Sequence, residues 1–484
     1  MADEEATPMV TTLAQLAEAD PRRPVLTDHE RSLSRAELEV RTNRLARDLA
    51  ARGVVDGDLV TIGLPNSVGF FEAAIACWKL GATPQQVSSR LPKGELDAIM
   101  DLAQPRLVIG LAHPSVPSLP AGHEADPSLS DAPLPIVVSP SWKAPTSGGS
   151  TGRPKLIVST AKALTEGVVI LGMLTGQRSG GVHLCTGPLY HNGPFAFASS
   201  ALLLGNHVVV MPRFDAERTL ALVQEHRVDW LYTVPTMLQR IWRLPEEVRD
   251  GYDVSSLETV FHVAAPCPPW LKEAWIRWLG PEKIIELYAG TEAQSATMLT
   301  GTEWLDHRGS VGRPAFGEMK IVGPGGDDLP PGELGEVFMR PPGAATYRYV
   351  GAEARTMDGG WESLGDMGWM DADGYLYLGD RSADMILVGG SNVYPAEVEA
   401  ALDEHPGITS SCVVGLPDED LGNRVHAIVQ VAPGVEVADD GILAFLADRL
   451  VRYKLPRSIE RVTEPLRDDA GKVRRSALRA ERLG

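Results

Sequence analysis

The sequence predicts a layered α/β protein: a large N-terminal α/β domain that includes a small β subdomain, followed by a smaller α+β domain. Three observations predict it. The chain has 484 residues, more than one compact core encloses. From about residue 59 to residue 287, short apolar runs alternate with amphipathic stretches, the pattern of strands and helices that cover one another. Around residue 315 the helical periodicity gives way to short strands split by Gly and Pro, and after residue 380 a smaller strand–helix alternation resumes. The domains are therefore expected at 1–380 and 381–484, with the β subdomain at about 315–379.

Residues 34–52 read as an amphipathic helix. Ser34 is its N-cap, Glu37 completes a capping box and Gly53 ends it. Leu59–Ile62 is a strand that precedes a helix over about 68–80. His207–Met211, a helix from Ala216, Trp230–Val234, Thr259–Val263 and Ile284–Leu287 continue the alternation. Residues 113–135, rich in Pro, Ser, Ala and Asp, read as an exposed loop. Met319–Val322, Glu336–Met339 and Tyr375–Leu378 supply the β subdomain. Pro395 suits the first turn of a helix over Ala396–Leu402.

A net charge of −19 argues against a general nucleic-acid binder, which needs a basic face. Cys77, Cys185, Cys267 and Cys412 are scattered without a C-x-x-C pair, which disfavours a disulfide framework or zinc site and fits a reducing cytoplasm. The acidic N-terminus lacks the basic start of a signal peptide. No apolar run approaches membrane-spanning length.

The densest chemical signal is Pro145-Thr-Ser-Gly-Gly-Ser-Thr-Gly-Arg-Pro-Lys155. Glycines let backbone N–H groups approach a ligand, short hydroxyls add donors, and a lysine adds a mobile charge, a mixture suited to a polyphosphate. It is not a Walker loop: Arg153 and Pro154 separate Gly152 from Lys155, and Leu156 follows the lysine. Four further segments, each compatible alone with an ordinary turn, accompany it. Tyr288-Ala-Gly-Thr-Glu292 follows an apolar strand, and Leu364-Gly-Asp366 sits in a turn after Trp361. Asp380-Arg381 marks the domain boundary, with Gly389-Gly-Ser-Asn-Val-Tyr-Pro395 just beyond. Gly471-Lys472 stands in a loop near the C-terminus.

Taken together, the order and spacing of these segments resemble the adenylate-forming superfamily of acyl-CoA synthetases, luciferases and adenylation domains, over nearly the whole chain. The phosphate segment matches S-G-[ST]-T-G-x-P-K. Residues 288–292 match Y-G-x-T-E with Ala289 in place of glycine. Residues 365–366 match the G-D motif, 379–395 match G-R-x-x-D…G-G-x-N-x-x-P, and Gly471-Lys472 matches the C-terminal lysine motif. Details of Gly81–Gln86 and Lys155-Leu-Ile157 are most similar to the bile-acid and actinobacterial acyl-CoA ligase branch.

The resemblance implies a two-step reaction. A carboxylic acid attacks ATP to give an acyl-adenylate and pyrophosphate, and the acyl group then passes to CoA. Thr146, Ser147, Gly148, Gly149, Ser150, Thr151, Gly152 and Lys155 would cradle the phosphates. Glu292 would hold magnesium, and Thr291 would contact the α-phosphate. Ala265, Pro266 and Tyr288 would flank adenine; Asp366 and Arg381 would serve the ribose. Lys472 would bridge carboxylate and α-phosphate. The C-terminal domain is expected to be mobile, rotating about a hinge after Arg381, where Ala383 departs from the Asp or Lys of many relatives. Gly389, Gly390, Ser391 and Asn392 would then line the thiol tunnel. His191, Phe195, Val263, Ala289 and Gly290 would border the acid, with His191 either a base or a gate. An aromatic or medium-sized apolar acid is expected. An amine acceptor in an amide bond synthetase, or a carrier protein, remains an alternative to CoA. The expected protein is cytoplasmic, needs neither membrane nor nucleic acid, and leaves its oligomeric state open, a homodimer among the alternatives.

Overall fold

A computed structural model describes residues 6–148, 154–379, 384–388, 391–418, 420–432, 434–435, 437–468 and 471–483, excepting the side chain of Asn392. Its centre is a nine-stranded sheet. Six parallel strands run in the spatial order Ile284–Ala289, Thr259–Val263, Trp230–Thr233, Val182–Cys185, His207–Val210 and Pro24–Thr27. Antiparallel strands extend both edges: Ala296–Thr300 and Arg313–Phe316 on one side, Ser32–Ser34 on the other.

The period-2 alternation of the strands feeds two cores. Val208, Val210 and Cys185 enter one with the helices Arg35–Ala51, Val68–Lys79 and Asn192–Leu203. Val209, Leu184, Leu231 and Val260 enter the other with the helices Ala216–His226, Pro235–Trp242 and Pro269–Leu279. A sheet covered on both faces requires apolar residues at successive strand positions, which is how these strands read.

A second, parallel sheet orders Thr83–Gln86, Leu59–Ile62, Leu107–Ile109 and Ser118–Leu119. The helix Val68–Lys79 shares a core with strands of both sheets and is buried almost all round. Its two buried charges are therefore paired: Glu72 with Arg31 at 2.6 Å and with Arg41, Lys79 with Glu39 at 2.8 Å. The capping box of Ser34 and Glu37 is present, and the first helical residue after Tyr394 is Pro395.

A five-stranded antiparallel sheet contains Glu318–Val322, Gly335–Arg340, Trp361–Met370, Arg355–Met357 and Leu376–Leu378. The strand Tyr347–Val350 falls within the same stretch of sequence yet leaves that sheet to pair with Pro154–Ser159. The smaller C-terminal part pairs Ile408–Asp418 with Gly422–Val431 and the latter with Ser458–Val462, covered by Pro395–Asp403 and Asp439–Ala447. Mixed α/β architecture with a large N-terminal and a smaller C-terminal domain is thus what the chain adopts. The expected boundary falls on residues 380–383, outside the described residues. Arg243 Nη2 donates to the Asp403 carbonyl at 3.0 Å, one contact that joins the two parts.

Cys77, Cys185 and Cys412 are buried as free thiols, and Cys267 is half-buried. Among the described residues, no helix is long and apolar enough to cross a membrane.

Candidate active site

The phosphate segment forms a hairpin. Thr146–Gly148 pairs antiparallel with Pro154–Ser159, Thr146 opposite Leu156 and Gly148 opposite Pro154. Gly149, Ser150, Thr151 and Gly152 of the expected cradle lie outside the described residues. The described arms are firmly held: Gln85 Nε2 donates to Thr146 Oγ1 at 2.9 Å, and Gln85 is itself bonded by the Thr61 hydroxyl.

Lys155 leads from this hairpin to Glu292. Its Nζ lies 3.3 Å from Glu292 Oε1 and 3.8 Å from the centre of the Tyr349 ring. Tyr349 donates its hydroxyl to the same Oε1 at 2.5 Å, and the Thr346 hydroxyl bonds the Glu292 carbonyl at 2.6 Å. Burial, together with the neighbouring Glu292 carboxylate, pushes the Tyr349 phenol well above its ordinary range, so it stays a donor. A buried carboxylate thus has a cation and a phenol on one oxygen, while Oε2 lies beside Gly290. Hard carboxylate and hydroxyl oxygens beside a polyphosphate segment fit magnesium. Neither Thr346 nor Tyr349 was legible as a site residue. Both arrive through the pairing of Tyr349 with Ile157, far away in sequence.

Tyr288 and Thr291 flank the end of the strand Ile284–Ala289; Gly290–Glu292 is the turn beyond it. A Cβ on Gly290 would meet Leu364 Cδ1 at 2.4 Å, so a larger residue here would push the Leu364 side chain aside. Tyr288 donates its hydroxyl to Asp366 Oδ2 at 2.7 Å, joining the expected adenine and ribose contacts. Asp366 does not occupy the turn expected from the sequence. It lies inside the strand Trp361–Met370, at an irregularity where the register with Gly335–Arg340 shifts and Gly365 takes φ +83°. A bulge re-aims a side chain without ending the strand, and a glycine with positive φ reads in sequence like a turn. Ala265 is half-buried and Pro266 exposed in the loop after Thr259–Val263, preceded by Ala264 at φ +79°.

Lys472 reaches the N-terminal domain on a tight turn. Gly471 N bonds the Asp468 carbonyl and Lys472 N the Asp468 carboxylate, each at 2.9 Å. Gly471 takes φ +76°, and a Cβ there would lie 2.7 Å from Thr236 Oγ1 at the start of the helix Pro235–Trp242. Only glycine meets both conditions. His191 senses the charge of Lys472.

His191 is the N-cap residue of the helix Asn192–Leu203, and its Nε2 is buried without a hydrogen-bond partner. Burial first, and then the Lys472 charge, hold its pKa down to about 3, so it is neutral at physiological pH. That leaves an uncharged, weakly basic imidazole with no cationic role. Phe195 is not brought to the acid pocket. It is fully buried, stacked between Phe71 and Trp142 at 5.9 and 6.1 Å and touching Phe70 and Trp78. It and Phe197 leave their helix in different directions, because two residues advance about 200° around a helix. Phe195→Ala should destabilise the N-terminal domain by about 3–5 kcal/mol, the usual cost of emptying an aromatic site; a guanidinium melt followed by near-ultraviolet dichroism measures it. Phe197 and Val263 are also buried, packed with Trp230, Tyr232 and Phe261 in a second aromatic cluster beside Leu287; Ala289 and Gly290 stand at the end of the neighbouring strand.

Sequence reasoning missed Lys143. It is buried three residues before Thr146, and its ammonium bonds Asn192 Oδ1. A lone lysine between Trp142 and Ala144-Pro145 was the available signal. Arg381, Gly389, Gly390 and the hinge residue Ala383 lie outside the described residues, as does the Asn392 side chain. Ser391 begins a short strand paired with Ile386–Val388.

Comparison with known proteins identifies the family. Residues 13–347 match the model of the AMP-binding enzyme family, and residues 397–472 match that of the AMP-binding enzyme C-terminal domain. The chain is 34% identical to a feruloyl-CoA synthase of an Amycolatopsis species, over 93% of this chain and 94% of that protein. It is 30% identical to the fatty acid–[acyl-carrier-protein] ligase ScoC of Streptomyces coeruleorubidus, over 98% of this chain and 96% of that protein. Among solved structures, o-succinylbenzoate CoA synthetase of Bacillus subtilis, in complex with its acyl-adenylate intermediate, superposes with a TM-score of 0.83 at 25% identity, covering 98% of each chain. The chain therefore belongs to the AMP-binding enzyme family, as an AMP-forming ligase of the acyl-CoA synthetase type that activates a carboxylic acid with ATP.

Proposed function

We propose that this enzyme converts an aromatic or medium-sized apolar carboxylic acid to its acyl-adenylate and then to its CoA thioester. The observation that carries the reading is the pairing of Lys155 with Glu292 and of Tyr288 with Asp366 at the two ends of the 288–292 segment. Similarity to a feruloyl-CoA synthase supports the acid class.

In this reading the arms around Thr146 and Lys155 hold the β- and γ-phosphates, and Asp366 and Tyr288 hold the nucleoside. The acid carboxylate attacks the α-phosphorus, and pyrophosphate leaves. Glu292 would hold magnesium, which would supply charge neutralisation on the phosphoryl oxygens. Lys472 brings its positive charge to the reacting carboxylate and α-phosphate, where exclusion of water strengthens it. No covalent enzyme nucleophile is needed. The C-terminal domain then rotates, Lys472 withdraws, and the 389–392 segment lines the path of the thiol.

In the amide-forming alternative His191 is the candidate base for an incoming amine, but a pKa held down to about 3 makes its imidazole a weak one. The test is pyrophosphate release across a panel of cinnamates, benzoates, arylacetates and C6–C12 fatty acids, with CoA, an amine or neither. The expected result is acid-dependent release with thioester formed on adding CoA. Amide formed without CoA would overturn the thiol assignment.

A further inference from the structure

Lys143 is a buried cation that the family motifs do not use. Its position is fixed by its backbone. The Ser159 amide and the Ser141 hydroxyl both donate to its carbonyl, at 3.1 and 2.8 Å, and Ala144 N bonds the Pro84 carbonyl at 3.0 Å. Its side chain runs across the Trp142 ring, with Nζ 4.6 Å from the centroid, to the Oδ1 of Asn192. Asn192 is a neutral amide, and no carboxylate lies within ion-pair distance of Lys143 among the described residues. A buried ammonium whose polar partner is an amide is incompletely compensated. By contrast, the buried Lys79 and Lys272 each meet a carboxylate directly.

The surroundings say what completes it. Asn192 opens the helix that His191 caps, and the buried Nε2 of His191 lacks a partner at the same place. Lys143 also senses the charge of Glu292, whose Oε1 is already engaged by Lys155 and Tyr349. Lys155 serves the phosphate side of Glu292. Lys143 is anchored on the other element, the helix end that borders the acid. We propose that Lys143 is a second cationic contact for the carboxylate of the acid substrate, holding it at the Asn192 end of the helix while Lys472 approaches from the C-terminal domain. The contact is a charge-assisted hydrogen bond with no bond made or broken. Burial, partly offset by Glu292, lowers the Lys143 pKa to about 7, so an arriving carboxylate also stabilises its protonated form.

The inference rests on the reading of the chain as an acid-activating enzyme. It is tested by acid-dependent ATP–pyrophosphate exchange, with the fastest acid of the panel above titrated separately from ATP. Lys143→Met should raise KM for the acid about ten- to hundredfold, the range of one charge-assisted hydrogen bond, with KM for ATP within about twofold. Lys143→Arg should recover part of the loss. Asn192→Asp, nearly isosteric, gives Lys143 an internal carboxylate and should raise KM for the acid in the same way, which keeps the test open if Lys143→Met does not fold. Unchanged acid KM in Asn192→Asp or in a folded Lys143→Met, equal changes for acid and ATP, or a defect confined to CoA transfer from supplied acyl-adenylate would each overturn the assignment. Wild-type enzyme without exchange on any acid would overturn the functional reading, and this assignment with it.

Discussion

Lys472→Ala should lower acid-dependent ATP–pyrophosphate exchange by about 10²- to 10³-fold, the loss expected when one preorganised electrostatic contact to the transition state is removed. Transfer to CoA from supplied acyl-adenylate should stay within a few-fold of wild type. The asymmetry follows from the turn that carries the lysine. Gly471 touches Thr236, and His191 senses the Lys472 charge, so the lysine is presented to the N-terminal domain in the arrangement that suits adenylation. If the domain rotates for the second step, Lys472 is elsewhere and its charge is not missed. Equal loss in both half-reactions would contradict the rotation. Stopped-flow or single-turnover assays of each half separate the outcomes.

Glu292→Gln should lower exchange by about a hundredfold and raise the magnesium concentration needed for half-maximal rate. The substitution keeps the shape of the group and an oxygen able to accept from Tyr349. It removes the charge that Lys155 meets at 3.3 Å and that would bind the metal. Because Lys155 then loses its carboxylate, a rise in KM for ATP should accompany the lower rate. A magnesium titration at saturating ATP and acid checks the assignment; an unshifted midpoint would remove Glu292 from the metal's coordination.

Much of the fold was legible because its strands and helices follow their own periodicities. The capping box at Ser34, the strand Thr259–Val263 and the helix begun by Pro395 all stand where the residues place them. Candidate site residues stood out where chemistry is concentrated locally, as in Thr146 to Lys155 and Tyr288 to Glu292, and among the described ones Lys155 and Glu292 meet. Reading failed where a residue's role depends on what packs against it. Phe195 and Phe197 are alike in sequence, yet one is wedged among Phe70, Phe71, Trp78 and Trp142 and the other packs in a separate buried cluster with Trp230 and Phe261. Gly365 signalled a turn, but a strand accommodates its positive φ in a bulge.

The sequence by itself determined the layered α/β class, the order of the phosphate, nucleoside and lysine segments, and hence the chemistry of acid activation. Those properties reside in short stretches whose residue types and spacing are local. Only the tertiary structure decided what surrounds them: Tyr349 and Thr346 on Glu292, Thr236 against Gly471, and Lys143 against Asn192. These contacts join residues tens to hundreds of positions apart. Strand pairing and burial create them, and no local pattern encodes a charge left beneath a helix end with only an amide beside it.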